Sequence, residues 1–145
     1  MNRKNRTGIW IDHKRAVIIN FNEKNEEKDY FIESGFEGKE REEGEDRNKN
    51  NARMGSHYIS DETGFENRHK ELLRKFYLEV ILRISEDSEV YIFGPAEAKN
   101  ELASKIRNYK SLKILITKIE VADRMTDKEA AAKARDYFHV EKLAA

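Results

Sequence analysis

The apolar positions of this chain fall into short β-type runs near its start and long helical stripes after its middle. "TGIWID" (7–12) and "RAVIINF" (15–21) are rich in β-branched and aromatic residues, and the polar "HK" between them reads as a hairpin connection. "KDYFIES" (28–34), reached through a charged turn, predicts a third strand. Three strands on short links form an antiparallel meander. A stretch without any period follows: "EEGEDRNKNNARMGSH" (42–57) is charged and nearly free of apolar residues. From about Glu66 the spacing changes. Leu72, Leu73, Phe76, Tyr77, Val80, Ile81 and Ile84 make a wide stripe along one face of a long helix. "TGFE" (63–66) has capping-box spacing and could start that helix.

The second half alternates strand and helix. "EVYIF" (89–93) predicts a short buried strand ended by "GP", and proline suits a first helical turn, so Pro95 is expected to open a helix that buries Ala98, Leu102 and Ile106. "LKILITKIEV" (112–121) has the near-continuous apolar run expected of a strand covered on both faces. "TDKE" (126–129) is a second capping box, and the helix after it presents Ala130, Ala134, Tyr137 and Phe138. The order βββ–α–β–α–β–α is that of the ribonuclease-H-like fold, a five-stranded mixed sheet with helices on both faces. The polar stretch then lies inside one domain spanning 1–145, as a mobile loop at about 36–62 between the third strand and the first long helix.

Composition narrows the function classes. A chain of 145 residues is long enough for one domain with a real core. Lysine plus arginine total 28 and aspartate plus glutamate total 28, so no bulk basic excess argues for nucleic acid, and any such site must come from local patterning. There is no cysteine, which excludes thiolate catalysis and cysteine-ligated metals. No apolar run is long enough to span a bilayer, and the N-terminus lacks a signal-peptide core, so a cytoplasmic protein without membrane contact is expected.

Candidate chemistry is sparse. Asp12 closes the first strand, Asp123 follows the last and Glu79 lies on the long helix; converging, they would make the two-ion site of a nuclease. The plainer reading has Asp12 shaping the "DHK" turn and Asp123 ending a strand. His13, His57, His69 and His139 lie in polar sequence without metal-site spacing, and Ser56 has no nucleophile-elbow pattern. No catalytic residue, metal site or cofactor is therefore assigned. The glycine–proline turn of "IFGPAEAK" precedes a helix N-terminus that could receive a phosphate, but reads more simply as a structural turn. The polar loop splits in two. Residues 37–46 are mainly acidic, whereas 47–57 hold Arg47, Lys49, Arg53 and His57 with no acid. Arg68, His69, Lys70, Arg74 and Lys75 extend the positive character along the helix. Arg47, Lys49, Arg53, His57, Arg68 and Lys70 are the candidate nucleic-acid contacts, since basic and amide side chains can follow an RNA backbone. A solvated surface loop is the alternative.

"GIWIDHKRAVIINF", "VYIFGPAEAKNELASKI" and "VADRMTDKEAAAKARDYF" resemble a family of small bacterial proteins labelled translational machinery or host-attachment proteins, similar to the middle domain of archaeal and eukaryotic peptide-chain release factors and of Pelota. The resemblance runs from about Thr7 to Phe138 and implies a ribonuclease-H-like fold. Release factors carry Gly-Gly-Gln in the loop before the long helix and use it to position water on the peptidyl ester. The matching stretch here has no such motif, and the chain contains no glutamine. The resemblance thus implies a translation-related factor that binds the ribosome or structured RNA without hydrolysis. The alternatives are a metal-dependent nuclease using Asp12 and Asp123, and a protein-binding module whose partner docks on the acidic half of the loop.

Overall fold

The computed structural model describes residues 5–35 and 58–141. Five strands, β1 (Asn5–Ile11), β2 (Arg15–Phe21), β3 (Glu27–Glu33), β4 (Ser88–Gly94) and β5 (Leu115–Val121), form one sheet in the order β3-β2-β1-β4-β5. The β1–β2 and β2–β3 pairs are antiparallel, and β1–β4 and β4–β5 are parallel. This is the meander followed by two crossovers expected of a ribonuclease-H-like sheet. The helices are α1 (Tyr58–Leu82), α2 (Ala98–Asn108) and α3 (Asp127–Phe138).

Alternation along the central strands divides the core in two. Ile9, Ile11, Ile18, Val90 and Ile92 pack under Phe76, Tyr77, Val80 and Ile81 of α1 and Leu102 and Ile106 of α2. Trp10, Val17, Ile19, Phe21, Tyr91 and Phe93 turn to the other side, under Ala130, Ala131 and Ala134 of α3. Helix α3 comes very close to the sheet. A Cβ placed on Gly8 would lie 2.5 Å from that of Ala134, so glycine in β1 and alanine in α3 set the approach. The "TDKE" box forms as expected: the Glu129 N–H donates to Thr126 Oγ1 at 3.1 Å and the Thr126 N–H donates to Glu129 Oε1 at 2.8 Å.

Three expectations are corrected. Helix α1 begins at Tyr58, so "TGFE" lies inside it and 58–62 are helix rather than loop; the rest of the expected loop, 36–57, lies outside the described residues. Pro95 does not open α2: the cap is Glu97, and Pro95 and Ala96 form a turn before it, with Ala96 at φ +48°. Strand β5 is not covered on both faces. It is an outer strand with Leu115 47% and Val121 75% exposed, and its apolar run instead supplies Ile116 and Ile119 to the α1–α2 side.

Candidate nucleic-acid interface

The segments with the most distinctive sequence meet where β1 and β4 end, and they are architectural. Gly94 lies so near β1 that a Cβ there would stand 2.2 Å from the Ile11 carbonyl oxygen. The Lys99 side chain folds back to donate to the Ala96 carbonyl, which seals the turn before α2. Glu97 and Glu101 already place carboxylates at the positive end of α2, which works against a bound phosphate. The "ADRMT" segment is tied down from β1 and β2. The Trp10 indole N–H donates to the Asp123 carbonyl at 3.2 Å, and Arg15 stacks over the Trp10 ring at 4.4 Å. Arg15 also donates to the Met125 carbonyl at 2.5 Å and to Asp127 at 2.7 Å.

Asp12 is engaged in its own turn: Oδ1 accepts from the N–H groups of Lys14 and Arg15, each at 2.8 Å. Glu79 faces solvent on α1. Among the described residues no three acids or histidines, these included, come together in a group that could hold a metal ion.

Of the predicted RNA contacts, Arg47, Lys49, Arg53 and His57 lie outside the described residues. Arg68 and Lys70 are on α1, and both are exposed. A helix of 25 residues is about 37 Å long at 1.5 Å per residue, whereas a seven-residue strand covers only about 23 Å. The burial pattern shows where the excess lies. Buried positions begin at Phe76, while Glu66 and Lys70, on the same side as the later core positions, are exposed. The described side chains of α1 before Leu72 are therefore not part of the buried core. Arg68 and Lys70 are two residues apart and do not share a face. Arg74 lies one turn from Lys70 and Lys75 two turns from Arg68, so the four cations form two stripes on the helix, against Glu66 and Glu71. Glu71 is joined to Arg74 at 2.5 Å; that bond lowers the Glu71 pKa and raises that of Arg74.

Two polar clusters were not legible in sequence. His13 Nε2 lies 3.1 Å from Glu101 Oε1, and the Tyr77 hydroxyl donates to the same carboxylate, so the β1–β2 turn, α1 and α2 are joined. Burial first, then Glu101, holds Tyr77 protonated well above the usual phenol range. On the opposite face Arg135 of α3 pairs with Glu27 at 3.1 Å, and Asp29 sits beside that pair. Burial, reinforced by Glu27, pushes the Asp29 carboxyl up to about 7.

The chain is thus an α/β protein whose described residues form a five-stranded ribonuclease-H-like sheet, closed on one face by two helices and on the other by one. The same fold occurs in the crystal structure of the Thermoplasma acidophilum Pelota protein: the two superpose with a TM-score of 0.51 at 12% sequence identity, over 92% of this chain and 32% of that one. The chain spans 32% of the length of that protein, and at this identity the likeness is one of fold. No protein-family model matches the chain, and no curated protein does. Among the described residues no helix is long and apolar enough to cross a membrane.

Proposed function

We propose that this chain is a ribosome- or RNA-associated factor related to the Pelota middle domain, working as one folded unit in the cytoplasm without catalysis of its own. The observation that carries the reading is helix α1, which exposes Arg68, Lys70, Arg74 and Lys75. Two stripes of cations on one helix suit phosphates approaching from more than one side, as in folded RNA, and the Pelota likeness supplies the translational context. Arg47, Lys49, Arg53 and His57, from the segment before α1, would add to the same contact. The missing Gly-Gly-Gln and the absence of any glutamine support binding without ester hydrolysis.

The test is co-sedimentation with ribosomes through sucrose, comparing the natural chain with Arg68→Glu/Lys70→Glu. The natural chain should travel with ribosomal particles at low salt and leave them as salt rises. Loss of two phosphate contacts should reduce the slope of log affinity against log salt by about 1.4 to 1.8, depending on whether single-stranded or paired regions are contacted. Equal sedimentation of the variant, or no association by either protein, would overturn the reading.

A further inference from the structure

Strand β3 is an outer strand, and the ladder identifies which of its residues form the free edge. At one end of the β2–β3 pair the Asn22 N–H donates to the Glu26 carbonyl at 3.1 Å, and at the other the Ser34 N–H donates to the Lys14 carbonyl at 2.9 Å. Between them the register pairs Asn20 with Lys28, Ile18 with Tyr30 and Ala16 with Ile32. Hydrogen-bonded and non-hydrogen-bonded pairs alternate in an antiparallel ladder, so these even-numbered residues turn their N–H and C=O groups toward β2. Glu27, Asp29, Phe31 and Glu33 turn theirs outward, where the sheet has no further strand among the described residues.

The same four side chains share one face of the sheet. It is the α3 face, because Val17, opposite Phe31, belongs to the α3 core and Arg135 reaches Glu27. Helix α3 packs over β1 and β2. Beyond its reach Phe31 is left 59% exposed, with Asp29 and Glu33 on either side. The strand therefore presents open backbone donors and acceptors, an exposed aromatic ring and flanking carboxyls, all from one set of residues.

We propose that the free edge of β3 is a docking site for an extended, basic segment of a partner protein, added antiparallel as a sixth strand. Backbone bonding along such an edge supplies affinity, and alternate side chains supply selectivity. Charge decides the occupant. The β3 of a second copy, paired antiparallel, would set Glu27 or Asp29 against Glu33 in the central registers, which is destabilising and is one way that natural edges refuse self-pairing. A strand with cations opposite Glu33, Asp29 and Glu27 and an apolar residue opposite Phe31 meets no such penalty. Its pattern is cation, spacer, apolar, spacer, cation, spacer, cation. One Asp29 oxygen, Oδ1, is buried with no hydrogen-bond partner, so this carboxyl is held with incomplete compensation. Burial and Glu27 raise it to about 7, Asp127 adds to this and Arg135 opposes it. The β2 residue opposite it, Ile19, brings no charge. A cation laid against Asp29 favours the ionised form, so docking releases a proton and tightens as pH rises through neutrality. The site is acidic where the proposed RNA surface is basic, so it does not depend on that reading.

The experiment is an NMR titration of the ¹⁵N-labelled full chain with a seven-residue peptide of that pattern, tyrosine opposite Phe31 and valine or threonine as spacers. The amides of Glu27, Asp29, Phe31 and Glu33 should move and become protected from exchange. A scrambled peptide of the same composition should bind roughly tenfold more weakly, as should the natural peptide to Phe31→Ser or Glu33→Lys, both exposed positions. Between pH 6 and 8 the affinity should rise about tenfold, and Asp29→Asn should flatten that rise. Phe31→Pro removes only an outward N–H and should also weaken docking; if it unfolds, the serine variant and the scrambled peptide decide. Equal binding of the scrambled peptide, or shifts confined to other elements, would overturn the proposal.

Discussion

Replacing Asp29 by Asn removes a charge that the fold holds in an unfavourable place. The carboxyl sits half-buried on β3 next to Glu27, and burial comes first among the causes that raise its pKa from 3.8 to about 7. A raised carboxyl pKa means that the folded chain binds the proton more tightly than the unfolded one. The stability associated with that proton is therefore fully present below about pH 4, near the unfolded value, and is lost as pH rises through about 7. Each tenfold difference in proton affinity is worth about 1.4 kcal/mol, so a sealed site would lose about 4 kcal/mol across the window. Asp29 is partly solvated and Arg135 offsets some of the cost, which leaves about 1–2 kcal/mol. Asn keeps the shape and an N–H to donate toward Glu27, as the protonated acid does. Asp29→Asn should thus come close to the natural chain at pH 3.5 and exceed it by about 1–2 kcal/mol at pH 8.5. For a chain of this size that is a rise in Tm of about 3–6 °C at the higher pH. Urea denaturation followed by circular dichroism across the pH range measures it. If the variant is no more stable at pH 8.5, or the natural chain does not weaken between pH 4 and 7 relative to it, the account of the β3 carboxyls is wrong.

Other outcomes follow from single contacts. Gly8→Ala should destabilise by about 1–3 kcal/mol through its clash with Ala134, and Ala134→Gly, costing about 1 kcal/mol alone, should relieve it; additive effects in the double mutant would refute the close packing of α3 on β1. Asp12→Ala should cost about 1 kcal/mol in thermal or urea melts, whereas Asp12→Asn, which keeps the Oδ1 acceptor, should be nearly neutral. RNA incubated with the purified chain and magnesium or manganese should remain intact on a gel, and degradation that Asp12→Asn abolishes would replace the binding reading with a nuclease.

Periodicity carried the element order, both faces of the core and the α3 cap, because these follow from local spacing. Its failures have physical causes. "TGFE" matched a capping box, but a four-residue signal cannot outweigh a helix that continues from Tyr58. The run at 112–121 looked doubly covered because Leu112, Ile114, Ile116 and Ile119 all join one core, three of them from before or at the start of a strand whose own alternate residues face solvent. The two polar clusters were beyond sequence reasoning for another reason. His13 and Glu101 are 88 residues apart, and Glu27 and Arg135 are 108 apart, so only the assembled sheet joins them. Arg68 and Lys70 were legible as cations; that the helix bearing them begins as early as Tyr58 was not.

The two outer strands differ in a way that bears on partner choice. The β4–β5 register slips between Val90 and Tyr91, leaving Thr117 as an extra residue in β5. The Thr117 hydroxyl bonds the Val90 carbonyl at 3.1 Å, and the Tyr137 hydroxyl donates to Thr117 at 3.0 Å, which fixes the irregularity from α3. Lys118 and Lys133 close on Glu120 beside it, at 3.3 and 3.8 Å. A bulge breaks the regular spacing that an added strand must follow, and bulged, charged edges are a common defence against pairing. Strand β3 keeps an unbroken seven-residue register with β2, and the charges on its α3 face, Glu27, Asp29 and Glu33, are all of one sign. An incoming basic strand thus meets a regular ladder at β3 and an interrupted one at β5, although β5 exposes more apolar surface. In the peptide titration the β5 amides should therefore remain silent while those of β3 respond. If β5 responds instead, apolar exposure rather than register and charge governs which edge of this sheet is open.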